Sequence, residues 1–224
     1  HGAYDFPQIW ELYDSPGHEQ TLDNGVVVGA DIQTIGTAQD HPNQGGSSTV
    51  GGEPWTEIGA APSNTFDNNW NSSSGHADYE DYVATVLSFS EPVTLTGDFL
   101  VTDVDWGQLV SVFGLNAGVL VEPATIQTGF SIQRYPDNAR WLNTPAGYSF
   151  PDDEIDVLEG SGGASPEDSS HRIKYGFEEA TVTELFMVFG EAGTGSSTSA
   201  GGVLVKNDFG GDDAGVVTVP EPHA

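Results

Sequence analysis

Clusters of carboxylate residues are the first feature of this sequence that could do chemistry. Asp103 and Asp105 in TDVDWG lie two residues apart, so on a strand both side chains share a face. In a turn they could bind one hard cation together with backbone oxygens. PDDEID (151–156) and NDFGGDD (207–213) are further oxygen-rich segments, although none of these segments matches the EF-hand pattern.

Calcium is therefore the cofactor that these segments predict. The alternative is that the carboxylates form solvated faces, because acidic clusters are expected by composition in a chain this acidic. The candidate ligands are Asp103, Asp105, Asp152, Asp153, Asp156, Asp208, Asp212 and Asp213.

The first residue suggests a different metal. His1 would offer an α-amino nitrogen and an imidazole nitrogen to copper, and His76 or His171 would add a third nitrogen. The opening His1-Gly2 resembles the start of some bacterial lytic polysaccharide monooxygenases, whose fold is also a β-sandwich. That resemblance implies copper as an alternative cofactor and a copper histidine-brace monooxygenase as the enzyme alternative.

Other enzyme classes find little support. The sequence contains no Gly-x-Ser-x-Gly elbow, no His-Glu-x-x-His helix and no phosphate-cradling loop. Tryptophans could instead stack on sugar rings, as in a carbohydrate-binding module, or they could anchor the core. The residues open to both interpretations are Trp55, Trp70, Trp106 and Trp141. We expect a protein without enzymatic activity.

The elements that would position these residues are short β-strands. Runs of β-branched and aromatic residues recur between Gly, Pro, Asn and Asp, and no amphipathic helix competes with them. The predicted strands are 25–28, 82–89, 99–101, 109–113, 119–121, 124–126, 184–189, 202–205 and 216–219.

Many short strands with turn residues between them predict an all-β, two-sheet antiparallel sandwich of jelly-roll type with long loops. Residues 36–78, rich in Gly, Ser, Asn and Pro, are predicted to be one such loop. The predicted organisation is a single sandwich domain over 15–219, preceded by an extended strand segment, 1–14.

The N-terminal segment HGAYDFPQIWELYD places Tyr4, Phe6, Trp10 and Leu12 on alternate positions, which predicts one apolar face in an extended chain. The segment could be an ordinary first strand of its own sheet. Alternatively, it could be a donor strand that inserts into the next subunit, and such head-to-tail contacts form filaments. The predicted strand-addition interface, which includes the strand near the C-terminus, is Tyr4, Phe6, Ile9, Trp10, Leu12, Val217 and Val219.

The charge excludes several partners. The 224 residues include 34 acidic and five basic residues, for a formal net charge of −29. Such a surface repels phosphate backbones and anionic lipids, so we expect no nucleic-acid binding. The chain also contains no apolar run long enough for a transmembrane segment.

The motif LSFSEPVTLTGDFLVTDVDWG (87–107), followed by LVSVFGLNAG, resembles the β-sandwich ectodomains of bacterial PEP-CTERM proteins. Val219-Pro220-Glu221-Pro222 resembles the start of their sorting signal, so residues 220–224 are interpreted as its remnant. The resemblance implies secretion to the cell surface or extracellular matrix, with exopolysaccharide as a partner. Together these features predict an extracellular structural or adhesive protein that assembles into homopolymeric filaments by β-strand addition.

Overall fold

A computed structural model gives the fold. The structure describes residues 19–21, 25–38, 47–59, 65–71, 76–95, 98–135, 139–150, 155–163, 165, 167–196, 202–208 and 216–218. Its strands are β1 Glu19–Thr21, β2 Val27–Ile35, β3 Ser47–Val50, β4 Glu53–Gly59, β5 Thr65–Asn71, β6 His76–Tyr79, β7 Tyr82–Leu95, β8 Asp98–Thr102, β9 Gln108–Asn116, β10 Val119–Val121, β11 Thr125–Thr128, β12 Ile132–Tyr135, β13 Ala139–Trp141, β14 Val157–Gly160, β15 Ile173–Gly176, β16 Ala180–Glu191, β17 Gly193–Ser196, β18 Gly202–Asp208 and β19 Val216–Thr218.

A nine-stranded sheet is the centre of the molecule. Its order is β1-β2-β7-β16-β9-β14-β12, with β10 paired to β9 and β19 paired to β7. The long strands β7, β9 and β16 are buried along most of their length on both faces. This explains why their sequences read as nearly continuous apolar runs rather than as alternating ones.

One face of the nine-stranded sheet packs against a six-stranded sheet of order β11-β15-β8-β18-β4-β3. The core between them contains Leu87 and Phe189 from the first sheet and Phe99, Tyr175 and Val203 from the second. All five side chains are buried, and this apolar layer provides the main driving force for folding.

The other face of the nine-stranded sheet is covered by a four-stranded sheet of order β13-β6-β5-β17 and by the segment that follows β13. Tyr82, Trp141, Phe150 and Phe186 form an aromatic cluster in this layer. The indole N–H of Trp141 donates to Ser111 Oγ at 2.9 Å, so its polar group is satisfied inside the core.

The structure confirms the predicted all-β sandwich of antiparallel sheets. A three-residue pairing of β13 with β6 is parallel. A strand overlaps each one predicted from the sequence, although most extend further than predicted and β2 and β11 begin later, at Val27 and Thr125. Within the described residues, no helix is long and apolar enough to span a membrane.

The predicted loop over residues 36–78 is wrong as a description of the whole segment. It contains β3, β4, β5 and β6. These strands carry many Asn, Asp, Glu, Pro and Gly residues, which are depleted in strands, and their backbones are held by pairing with neighbours. A local pattern therefore could not reveal them.

Candidate binding surface at the loop end

Segments from different strands meet at one end of the sandwich, and we call this region the loop end. It consists of residues 103–107, 129–131, 160–162 and 168–172. Hydrogen bonds link the segments in a closed ring. They join His171 Nδ1 to Val104 O at 2.9 Å, Ser131 N to Ser170 O at 3.0 Å, Ser161 N to Ser131 O at 2.9 Å, and Gly107 N to Gly160 O at 3.0 Å.

Aromatic side chains project from this ring into solvent. Trp106 is 75% exposed and Phe130 is 92% exposed. The bridge between Trp106 and Gly160, together with the pairing of Gly160 with Ile132, places the two aromatic residues on adjacent segments of the loop end. Among the described residues these are the most exposed aromatic side chains, and an exposed aromatic ring offers a flat apolar face to a ligand.

The ring can close only because small residues occur where its backbones touch. A Cβ atom at Gly160 would lie 2.2 Å from Asp105 O and 2.3 Å from Val104 O. A Cβ atom at Gly129 would lie 2.2 Å from Ser170 O. Only glycine permits such approaches, so these positions fix the backbone on either side of the exposed aromatics.

His171 anchors the segment that carries Trp106 through a hydrogen bond to the backbone of Val104. It ends the short 3₁₀ helix Ser169–His171 and is 4% exposed. Because the Val104 carbonyl can only accept a hydrogen bond, Nδ1 of His171 carries the proton and donates it. Asp168 begins the helix by accepting a hydrogen bond from Ser170 N at 2.9 Å.

Asp103 is the most perturbed carboxyl group of the loop end. It is half-buried and has a φ angle of 63°, in the left-handed region that Asp and Asn tolerate better than most residues. Burial, followed by repulsion from Asp105 and Glu57, raises the pKa of Asp103 to about 6, with His171 opposing the shift.

Asp168 behaves in the opposite way. Its side chain is exposed, and hydrogen bonds from the backbone and side chain of Ser170 lower its pKa. The loop end therefore presents an ionised carboxylate at neutral pH near one edge and a group of half-buried carboxyl residues near Trp106.

Within the part of the chain that the structure describes, no group of three or more His, Asp or Glu side chains could hold a metal ion. Asp103 and Asp105 follow the end of β8 rather than lying on a strand, and Asp156 forms an ion pair with Arg134. The side chain of Asp208 lies outside the described part, as do all of Asp152, Asp153, Asp212 and Asp213. Calcium therefore stays a prediction.

One of the predicted copper ligands, His171, lies within the described part of the chain. His171 is buried and bonded to the backbone through Nδ1, while its Cε1 and Nε2 face Gly162. His1 and the side chain of His76 lie outside the described part of the chain, so the predicted histidine brace is untested.

Burial distinguishes the tryptophans that anchor the core from the one that could contact a sugar. Trp55 and Trp141 are each 4% exposed and belong to the apolar clusters, whereas Trp106 is exposed. The side chain of Trp70 lies outside the described part of the structure. Sequence reasoning missed Phe130, although its position between Gly129 and Ser131 in a turn could have indicated an exposed aromatic residue.

The predicted strand-addition residues fall mostly outside the described part. These are Tyr4, Phe6, Ile9, Trp10, Leu12 and Val219. Val217 lies in β19, where its backbone is paired with Thr94 of β7 in the same chain. To pair with another copy of the protein, β19 would have to leave β7 of its own chain and bind β7 of the other copy.

No protein-family model, curated protein or solved structure matches this chain. The chemistry of the loop end and the charge of the chain are therefore the features that bear on function.

Proposed function

We propose that this protein is an exported adhesive β-sandwich that binds polysaccharide through the loop end and does so without catalysis. The observation that carries the proposal is the pair of exposed aromatic side chains, Trp106 and Phe130, on a backbone held by hydrogen bonds. Flat aromatic faces suit the apolar faces of sugar rings, and neighbouring carboxylates can accept hydrogen bonds from sugar hydroxyls.

The rigid support of the aromatic residues is a second argument. A surface that is already ordered loses little conformational entropy when a ligand binds. The close backbone contacts at Gly160 and Gly129 hold the main chain that carries Trp106 and Phe130, so the binding of a ligand need not order that main chain. Polysaccharide is also the partner implied by the resemblance to PEP-CTERM proteins.

Affinity electrophoresis tests this proposal. The native protein is run in gels that contain hydroxyethylcellulose, dextran, glycol chitosan or alginate, beside Trp106→Ala and the control Val119→Ala. Val119 is also exposed, at 68%, but β9 separates it from Trp106 by about 25–30 Å. We expect retardation by at least one polymer, lost in Trp106→Ala and kept in Val119→Ala. Unretarded migration in all four gels would overturn the proposal.

Self-association by strand addition is a second candidate, and β19 is the observation that favours it. This strand makes only a three-residue pairing with β7, at residues 93–95, which β2 leaves unpaired. So short a pairing costs little to exchange, and exchange between copies would join molecules through the same contacts.

The absence of cysteine from the sequence allows a direct test of exchange. Thr94→Cys and Val217→Cys are prepared as separate variants and mixed under mild oxidation, because these positions face each other across the pairing. Strand addition predicts disulfide-linked chains that contain one of each variant. A double variant that forms only the bond within its own chain, together with mixtures that stay monomeric, would contradict it.

A further inference from the structure

We propose that the polysaccharide bound at the loop end is a cationic amino-sugar polymer. This inference rests on the proposed function and adds the chemical class of the ligand. It follows from the charges around Trp106 and from the state of the basic residues in the described part of the molecule.

The loop end that carries the exposed aromatic residues also contains several carboxylates. Asp103 and Asp105 precede Trp106 in the same segment, and Glu57 of β4 is close enough to interact electrostatically with Asp103. Asp168 is exposed beside the helix that binds the Phe130 segment. An anionic polymer would be repelled here, whereas a protonated amine would be attracted.

The basic side chains that the structure describes are already engaged within the chain. Arg134 pairs with Asp156, Arg140 pairs with Asp78, and Lys174 pairs with Asp98. Arg172 lies 5.7 Å above the ring of Trp55. Among the described basic residues, therefore, three are committed to ion pairs, and the fourth, Arg172, lies against Trp55 with its Nε atom buried.

An aromatic surface with nearby carboxylates also selects cations over neutral molecules. A cation above a tryptophan face is attracted by the ring quadrupole, and the attraction adds to that of the carboxylates. A sugar ring that carries an ammonium group can stack its apolar face on one aromatic ring while the charge faces Asp105. A neutral sugar of the same shape can stack and donate hydroxyl hydrogen bonds, but it lacks the attraction between opposite charges.

Isothermal titration calorimetry with matched hexasaccharides tests the inference. The ligands are cellohexaose, the hexamer of N-acetylglucosamine and the hexamer of glucosamine, at pH 6 in 50 mM NaCl. Under these conditions the glucosamine amines and ordinary carboxylates are both charged. We expect the glucosamine hexamer to bind about ten-fold more tightly than the neutral hexamers, and the preference to shrink at 500 mM NaCl.

Asp105→Asn provides the matched variant. It should weaken binding of the glucosamine hexamer several-fold more than binding of cellohexaose, because only the amino sugar loses a charge contact. An unfolding temperature equal to that of the native protein shows that the variant is folded. A hexalysine peptide controls for charge without sugar rings.

The outcomes separate this inference from the proposed function. Equal affinity for all three hexasaccharides would overturn the cationic preference but leave polysaccharide binding intact. Hexalysine binding as tight as that of the glucosamine hexamer, and unaffected by Trp106→Ala, would also overturn the inference. Absence of binding to any hexasaccharide, with no retardation by any polymer, would overturn both.

Discussion

At the scale of single residues, environment rather than residue type determines what each tryptophan does. Trp141 and Trp106 differ most clearly. Trp141 is buried, packs against Tyr79 and Tyr82, and satisfies its N–H through Ser111. Trp106 is exposed in a segment whose backbone is fixed by Gly160 and His171.

Alanine at these two tryptophan positions should therefore change stability by very different amounts. Trp141→Ala removes a large buried side chain, and we expect it to lower the free energy of unfolding by about 3–5 kcal/mol. Trp106→Ala should change that free energy by less than about 0.5 kcal/mol because the side chain is solvated. Chemical denaturation measures both values, and comparable losses would contradict the assigned burial.

Asp103 predicts a pH-dependent stability. Its pKa is raised from 3.8 to about 6, so the folded state binds more protons than the unfolded state between these values. Stability should fall as pH rises through this window, and the full penalty should remain above pH 6. Asp103→Asn, which keeps a residue type that tolerates positive φ, should remove this penalty.

We expect Asp103→Asn to be more stable than the native protein by about 1 kcal/mol at pH 7.5, after discounting for the solvent exposure of the group. At pH 3.5 the two should be equally stable. Asp168→Asn is the control, because the pKa of Asp168 is lowered and its replacement should bring no gain at pH 7.5. Thermal unfolding at both pH values measures the differences, and a gain that is independent of pH would count against this interpretation.

At the scale of elements, the loop end depends on contacts between segments that are distant in sequence. Gly160 ends β14 and lies against the backbone that precedes β9, while the segment before β15 bonds to the turn between β11 and β12. Trp106 and Phe130 therefore keep their positions only if several strand ends pack together.

Gly160→Ala tests this dependence. Its added methyl group would overlap the carbonyl oxygens of Val104 and Asp105, so we expect a loss of about 1–3 kcal/mol in stability and weaker polysaccharide binding. Gly163→Ala is the matched control, because no atom lies within 4 Å of its added methyl group. Denaturant unfolding and affinity electrophoresis of both variants measure the two effects. Identical behaviour of the two variants would contradict the close packing at Gly160.

The apolar strands could be predicted from the sequence, whereas the polar strands could not. β7, β9 and β16 can be recognised in the sequence because burial on both faces requires continuous apolar residues. β5 and β6 could not be recognised, since pairing with neighbours rather than their own composition makes them strands. Trp106 could be named as a candidate, but its exposure depends on the contact with Gly160, which lies far away in the sequence.

At the scale of the whole molecule, the large negative charge opposes folding. With 34 acidic residues against five basic ones, repulsion within the folded chain must be offset by burial of the apolar layers on both faces of the nine-stranded sheet. Salt reduces this repulsion, because the distance over which charges interact falls from about 10 Å at 0.1 M to about 3 Å at 1 M ionic strength.

The unfolding temperature should therefore rise by several degrees between 0.05 and 1 M NaCl. Calorimetry checks this, with KCl as a control that should give the same curve. Calcium chloride at matched ionic strength distinguishes screening from specific binding, because a bound ion would raise the temperature further. A constant or falling unfolding temperature in NaCl would contradict the electrostatic account.

The central claim is that the loop end is the polysaccharide-binding surface. The most direct test is to compare the dissociation constants of the native protein and a double variant, Trp106→Ala with Phe130→Ala, for the polymer that retards the native protein. We predict at least a thirty-fold weakening, as for loss of a central aromatic contact, with the unfolding temperature unchanged. A double variant that binds as tightly as the native protein would show that the ligand lies elsewhere and would contradict the account.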